Sequence, residues 1–197
     1  MQGSKIRLSP AEAALFSDAQ VILTKNSIIQ KTVALLAEVQ EEFVAHAPSV
    51  ILQNSPSPKI SKGENYLGLP YVILDYPRIA KGQTLLFVRS MFWWGNFFSS
   101  TLQLSGDYKL KAENSLIDAY DSLKDQHYFI GINPDPWVHH FEADNYKRIR
   151  DLSKEAFAMI LEESAHIKIA ACWPLQEWDS AANNLVRSWK LFTGLIA

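Results

Sequence analysis

The chain has 197 residues, 48% of them hydrophobic and 20% charged, with a formal net charge of −2 and a pI near 6.2. That length suits one globular domain, residues 1–197, with a substantial core, and the composition excludes a disordered or fibrous chain. Without a basic excess there is no electrostatic basis for binding a nucleic-acid backbone.

The Met1-Gln2-Gly3-Ser4-Lys5 start leads into no apolar signal segment, and Cys172, the single cysteine, has no intramolecular disulfide partner. No apolar run approaches the roughly 18 residues that span a bilayer. The expectation is a cytoplasmic protein with neither a membrane nor a nucleic acid among its partners.

Ser9-Pro10-Ala11-Glu12 supplies a capping hydroxyl, a proline at the first helical position and a glutamate three residues after the cap, which predicts a short helix to about Asp18. A longer helix follows from Ala19 to about His46, with Ile22, Ile29, Val33, Leu36 and Phe43 forming one apolar stripe. Pro48 ends it. Asn54-Ser55-Pro56-Ser57-Pro58 with Ser61-Lys62-Gly63 reads as an exposed loop.

Strands are expected over Tyr66–Tyr76, Thr84–Trp94 and Phe97–Leu104, joined as an antiparallel meander. A two-residue turn at Gly95-Asn96 sets the register of the last two, so that Trp94 faces Phe97, Trp93 faces Phe98 and Arg89 faces Leu102. One face of that hairpin, carrying Phe87, Arg89, Met91, Trp93, Phe98, Leu102 and Leu104, then reads as the core face. The other, half polar, concentrates Phe92, Trp94 and Phe97 at its turn end.

A helix from about Leu110 to Lys124, a strand from Tyr128 to Ile132 and the proline-bounded loop Asn133-Pro134-Asp135-Pro136 come next. Then follow a helix over Ser153–Glu163 and a strand over Ile167–Trp173. The last helix ends near Ile196 and bears the stripe Trp178, Ala182, Leu185, Trp189, Phe192 and Ile196. The sum is a two-layer α+β domain: an antiparallel or mixed, coiled sheet with a central meander, packed on two N-terminal helices and a C-terminal helix.

In this order of elements the chain resembles the YktB-like family of uncharacterised bacterial proteins. The residues that carry the likeness are Leu36 to Pro48 (LAEVQEEFVAHAP), the meander with its aromatic middle strand, Tyr128 to Pro136, and Ile167 to Trp173 followed by a helix. The resemblance implies a two-layer α+β fold with a strongly coiled sheet. It implies no catalytic residue and no cofactor.

Arg89, placed among apolar neighbours, needs an anionic partner, because an unpaired interior charge costs several kcal/mol. Asp75 on the preceding strand is one such partner. An anionic small molecule is the other, held by Arg89 between aromatic walls from Trp93 and Tyr71. Phe92, Trp94 and Phe97 form the alternative site, a contact surface for another protein or for a second copy in a homodimer.

His139 and His140 are adjacent and diverge on a strand or a helix, so they lack the third and fourth ligands of a metal site and read as surface residues. Cys172 lies in an apolar strand where burial raises a thiol pKa, and reads as a small core residue. No nucleophile elbow, phosphate-binding loop or zinc-binding helix motif is present in the sequence, so no catalytic residue is assigned.

Overall fold

The computed structural model describes residues 5–196; the Met1–Ser4 start, read above for a signal segment, lies outside them. Helices α1 (Pro10–Ser17) and α2 (Ala19–Ala45) begin where their caps place them. Ser9 and Glu12 form the reciprocal capping box, and the Asp18 carboxylate accepts from Gln20 N–H. After Pro48 the chain makes a further short helix, α3 (Ser49–Asn54).

One seven-stranded sheet follows, antiparallel throughout, with strand order β1-β2-β3-β4-β7-β5-β6. Its members are β1 (Lys59–Tyr66), β2 (Leu69–Lys81), β3 (Thr84–Trp93), β4 (Phe97–Ser105), β5 (Phe129–Gly131), β6 (Tyr146–Arg148) and β7 (His166–Pro174). The remaining helices are α4 (Asp107–Asp118), α5 (Tyr120–Asp125), α6 (Lys154–Glu163) and α7 (Trp178–Leu195). The expected α+β class is therefore found, with a wholly antiparallel sheet.

Two strands depart from the sequence expectation. β1 occupies residues expected to belong to an exposed loop, and β6 was not expected at all. Both are edge strands. Polar β1 has two lysines, Lys59 and Lys62, which suit an exposed sheet edge. Its propensity for strand is weak, and pairing with β2 supplies what local preference lacks. In β2 a bulge between Asp75 and Arg78 spans Tyr76-Pro77, where the ladder has no proline N–H to use.

The β3–β4 hairpin is offset by one residue from the predicted register: Trp93 pairs with Phe97, Phe92 with Phe98 and Arg89 with Thr101. The physical reason lies in the turn. A two-residue type I′ turn needs positive φ at both central positions. Here Gly95 adopts it (φ 72°) and Asn96 does not, so Trp94, Gly95 and Asn96 make a three-residue connection closed by Asn96 N–H to the Trp93 carbonyl at 3.1 Å.

A slip of one residue turns every β4 side chain over. The face packed on helices is consequently Leu86, Val88, Phe92, Phe98, Leu102 and Leu104, and Arg89 lies on the other. The expected trio Phe92, Trp94 and Phe97 is split. Phe92 is 3% exposed within the helix-covered core, Trp94 is half-buried edge-on to Phe92, and Phe97 packs on Trp93 across the opposite face. The hairpin therefore offers no contiguous aromatic contact patch.

Helices α2 and α7 cross the apolar face, with α4 and α6 beside them. Trp189 of α7 is the keystone. Its ring stacks on Phe43 of α2 at 4.6 Å and its indole N–H donates to the Tyr76 carbonyl at 2.7 Å, tying both helices to β2. Of the predicted α2 stripe, Ile29, Leu36 and Phe43 are buried while Ile22 is exposed, because α2 packs on the sheet only beyond its first turns. No helix among the described residues is long and apolar enough to cross a membrane.

Candidate functional site

The sheet's second face is lined by alternate residues: Asp75 on β2, Arg89 and Trp93 on β3, Thr101 and Gln103 on β4, Lys168 and Cys172 on β7. Segment 132–145, between β5 and β6, lies over this face as a lid without regular structure. Its ends are pinned together by Ile132 N–H to the Asn145 carbonyl at 2.8 Å. Asn133 and Asp135 accept from the N–H groups two residues on, forming successive Asx turns around Pro134 and Pro136.

Asn145, fully buried, donates to the carbonyls of Val138 and His140, and Lys168 Nζ donates to the Val138 carbonyl and to Asn145 Oδ1. A lid lacking its own ladder satisfies its backbone through these side chains.

Under the lid, Arg89 meets Asp75 as direct cross-strand partners. Nε and Nη2 donate to the two carboxylate oxygens at 2.8 and 2.9 Å, a bidentate pair. Nη1 lies 2.9 Å from His139 Nε2. Burial, with the Arg89 and Lys168 charges nearby, lowers the His139 pKa to about 3. The ring is therefore neutral, Nε2 accepts from Arg89, and its proton sits on Nδ1.

Trp137 covers the guanidinium at 5.5 Å, and the His139 N–H donates to the Tyr66 hydroxyl at 2.7 Å. Sequence reasoning paired Arg89 with Asp75 but took His139 for a surface residue. It is buried, because the lid folds it inward onto the guanidinium.

The predicted ligand residues Arg89, Asp75, Trp93 and Tyr71 do share one face. None of the four lines the cleft described below. Trp93 donates from Nε1 to the Tyr66 carbonyl at 3.2 Å and packs on the Tyr66 ring at 5.0 Å. Tyr71 lies so close over Gly63 that a Cβ there would sit 2.5 Å from the phenol ring, which accounts for glycine in β1. The rings serve one another.

Beside this cluster, at the β5–β6 edge, is an open cleft of about 660 Å³ lined by Phe129, Phe141, Tyr146, Lys147, Arg148 and Cys172 among others. Phe141 of the lid stacks on Tyr146 at 4.5 Å and stands edge-on to Phe129 at 5.1 Å. Arg148 lies with its guanidinium carbon 5.8 Å from the Phe129 ring. Sequence reasoning named none of these but Cys172. The available signal was the basic-aromatic run Tyr146-Lys147-Arg148 shortly after Phe141, which remained unread without strand β6.

Cys172 faces this cleft, half-buried, instead of filling the helix-side core. Burial pushes its thiol up to about 11, so it is protonated and unreactive at neutral pH. His140 Nδ1 lies 3.9 Å from Asp144 Oδ1, and no group of three metal-ligating side chains occurs among the described residues.

Comparison with protein-family models, with curated proteins and with solved structures finds no match to the chain. The class of the protein is thus that of its fold, an antiparallel α+β sheet with helices on one face and a clamped lid on the other.

Proposed function

We propose that the protein is a binding module for a small, flat, anionic molecule, and that the site is the cleft at the β5–β6 edge. The observation that carries this reading is the composition of the cleft walls: three aromatic rings from separate elements, with Lys147 and Arg148 at an open rim. The volume falls within the roughly 300–1,000 Å³ typical of small-ligand sites. A planar ring suits the Phe129–Phe141 walls, and a carboxylate or phosphate suits Arg148, whose planar fork binds both in bidentate fashion. Arg89 has a different task in this reading. Three of its nitrogens are already engaged, so it holds the lid instead of the ligand.

A thermal-shift series with aromatic carboxylates and nucleoside monophosphates tests the proposal. At least one probe raises Tm saturably, and Arg148→Ala, at an exposed position, abolishes the rise while leaving the Tm of the free protein unchanged. No shift with any probe, or a shift unaffected by Arg148→Ala, would contradict it.

A second reading, self-association, rests on another observation. Leu15, Phe16, Val21, Ile22 and Leu23 of α1 and the start of α2 are all exposed, Phe16 at 83%. None of α1 is buried. The same stretch carries both signs of charge, Glu12 and Asp18 against Lys25, which favours a second copy over a surface of one sign. The homodimer interface of this reading is therefore the N-terminal helix pair, not the hairpin.

A further inference from the structure

Residues 5–24, which comprise the lead-in to α1, α1 itself and the first turns of α2, are exposed without exception. Leu8, Leu15 and Phe16 of this arm are 57%, 60% and 83% exposed. At eight residues, α1 is shorter than the roughly 12–15 that a helix needs to hold on its own in water, and it buries nothing on its own domain. Such an arm takes its stability from a surface it packs against elsewhere.

A surface of matching character runs between α2 and α7. Two adjoining hollows of about 370 and 340 Å³ share Glu38 and Ala182 and so make one groove. Its floor is apolar and half-buried, from Leu35, Trp178, Ala182 and Val186, and its rim is acidic, with Glu38, Glu41, Glu42 and Asp179 exposed. Glu38, Glu41 and Asp179 make no ion pair among the described residues, and neither do Lys5 and Arg7 of the arm.

The order of charges matches as well. Along the arm two cations, Lys5 and Arg7, precede the anion Glu12; along α2, read backwards, Glu42, Glu41 and Glu38 precede the cation Lys31. An arm running antiparallel to α2 therefore sets opposite signs against each other at both ends. Lys31 to Glu42 spans about 17 Å of helix, within the reach of Lys5 to Glu12 when the lead-in to α1 is extended.

We propose that the occupant of the α2–α7 groove is the N-terminal arm of a second copy of this chain, each copy receiving the other's arm. Leu8, Leu15 and Phe16 supply the apolar contact, and Lys5 and Arg7 meet the carboxylates of Glu38 and Glu41. The exchange is reciprocal, so the assembly closes at two copies. This inference rests on the self-association reading and adds to it the surface that receives the arm.

Sedimentation equilibrium of charge-reversed full-length chains is the test. Lys5→Glu/Arg7→Glu places an acidic arm against an acidic groove, and Glu38→Lys/Glu41→Lys places a basic arm against a basic one. Each variant alone is expected to dimerise at least about tenfold more weakly than the wild type. Mixed in equal amounts they restore a dimer of wild-type affinity, because both contacts of the heterodimer again join opposite charges. All four side chains are exposed, and a variant that had failed to fold could not pair in the mixture. A wild-type dimer with variants that dimerise equally well, or a mixture no tighter than its components, would overturn the groove assignment and leave self-association standing. A wild-type chain that stays monomeric, its arm serving some other partner, would overturn both.

Discussion

Arg89 decides much of what happens on the lidded face, and its partners can be tested singly. Removing one member of a buried pair strands the other, so Arg89→Ala is expected to cost about 3–5 kcal/mol. The double variant Asp75→Asn/Arg89→Gln is expected to recover part of that loss, as measured by urea denaturation. His139 adds a pH dependence. Its folded pKa, about 3, is depressed below the ordinary imidazole value of 6.5, so its contribution is complete above pH 6.5 and is lost as pH falls toward 3. His139→Gln is expected to flatten that limb of a stability-versus-pH curve. The Arg89–Asp75 pair was legible in the sequence because both residues sit on strongly patterned strands and a buried guanidinium requires an anion. The third partner was not, since His139 comes from a loop 50 residues further along, where no periodicity reports which way a side chain points.

At the scale of elements, the sequence revealed the helices best. The capping box at Ser9 and the stripe on α7 are local signals with strict spacing, and both helices begin within a residue or two of where those signals put them. Strands with alternating apolar residues were legible too, but register was not. Whether a glycine-containing turn holds two residues or three depends on φ at Asn96, and one residue decides which face of β4 is buried. Gly95 carries that turn at φ 72° with open space around its Cα. Gly95→Ala is therefore expected to destabilise through backbone strain alone, by about 1–2 kcal/mol, a shift of roughly 2–8 °C in Tm by calorimetry. Edge strands β1 and β6 escaped notice because they are short or polar and owe their conformation to a neighbour. The lid owes its shape to Asn145. Asn145→Ala leaves the part-buried carbonyls of Val138 and His140 without that donor and is expected to speed proteolytic cleavage within 132–145, while cleavage elsewhere stays unchanged.

The whole molecule is a sheet with two unlike faces, one filled by α2 and α7 and the other by a polar cluster under a loop. Trp189 anchors the first. Trp189→Ala is expected to cost about 3–5 kcal/mol, through the lost stacking on Phe43 and the stranded Tyr76 carbonyl. The second face is held by hydrogen bonds among Arg89, Asp75, His139, Lys168 and Asn145, whose geometry admits few alternatives. Composition and charge indicated a globular fold and argued against nucleic acid, yet they held no trace of the cleft, which exists only where Phe129, Phe141, Tyr146 and Arg148 converge from three segments of chain. If the N-terminal helices self-associate, sedimentation equilibrium of the wild-type chain gives a dimer, and Phe16→Asp/Leu23→Asp gives a monomer of unchanged Tm. The cleft itself is tested most directly by a crystal structure with an aromatic carboxylate bound. The account predicts the ring between Phe129 and Phe141 with its carboxylate on Arg148, and the Arg89–Asp75 pair intact; a ligand seated on Arg89 with that pair broken would contradict it.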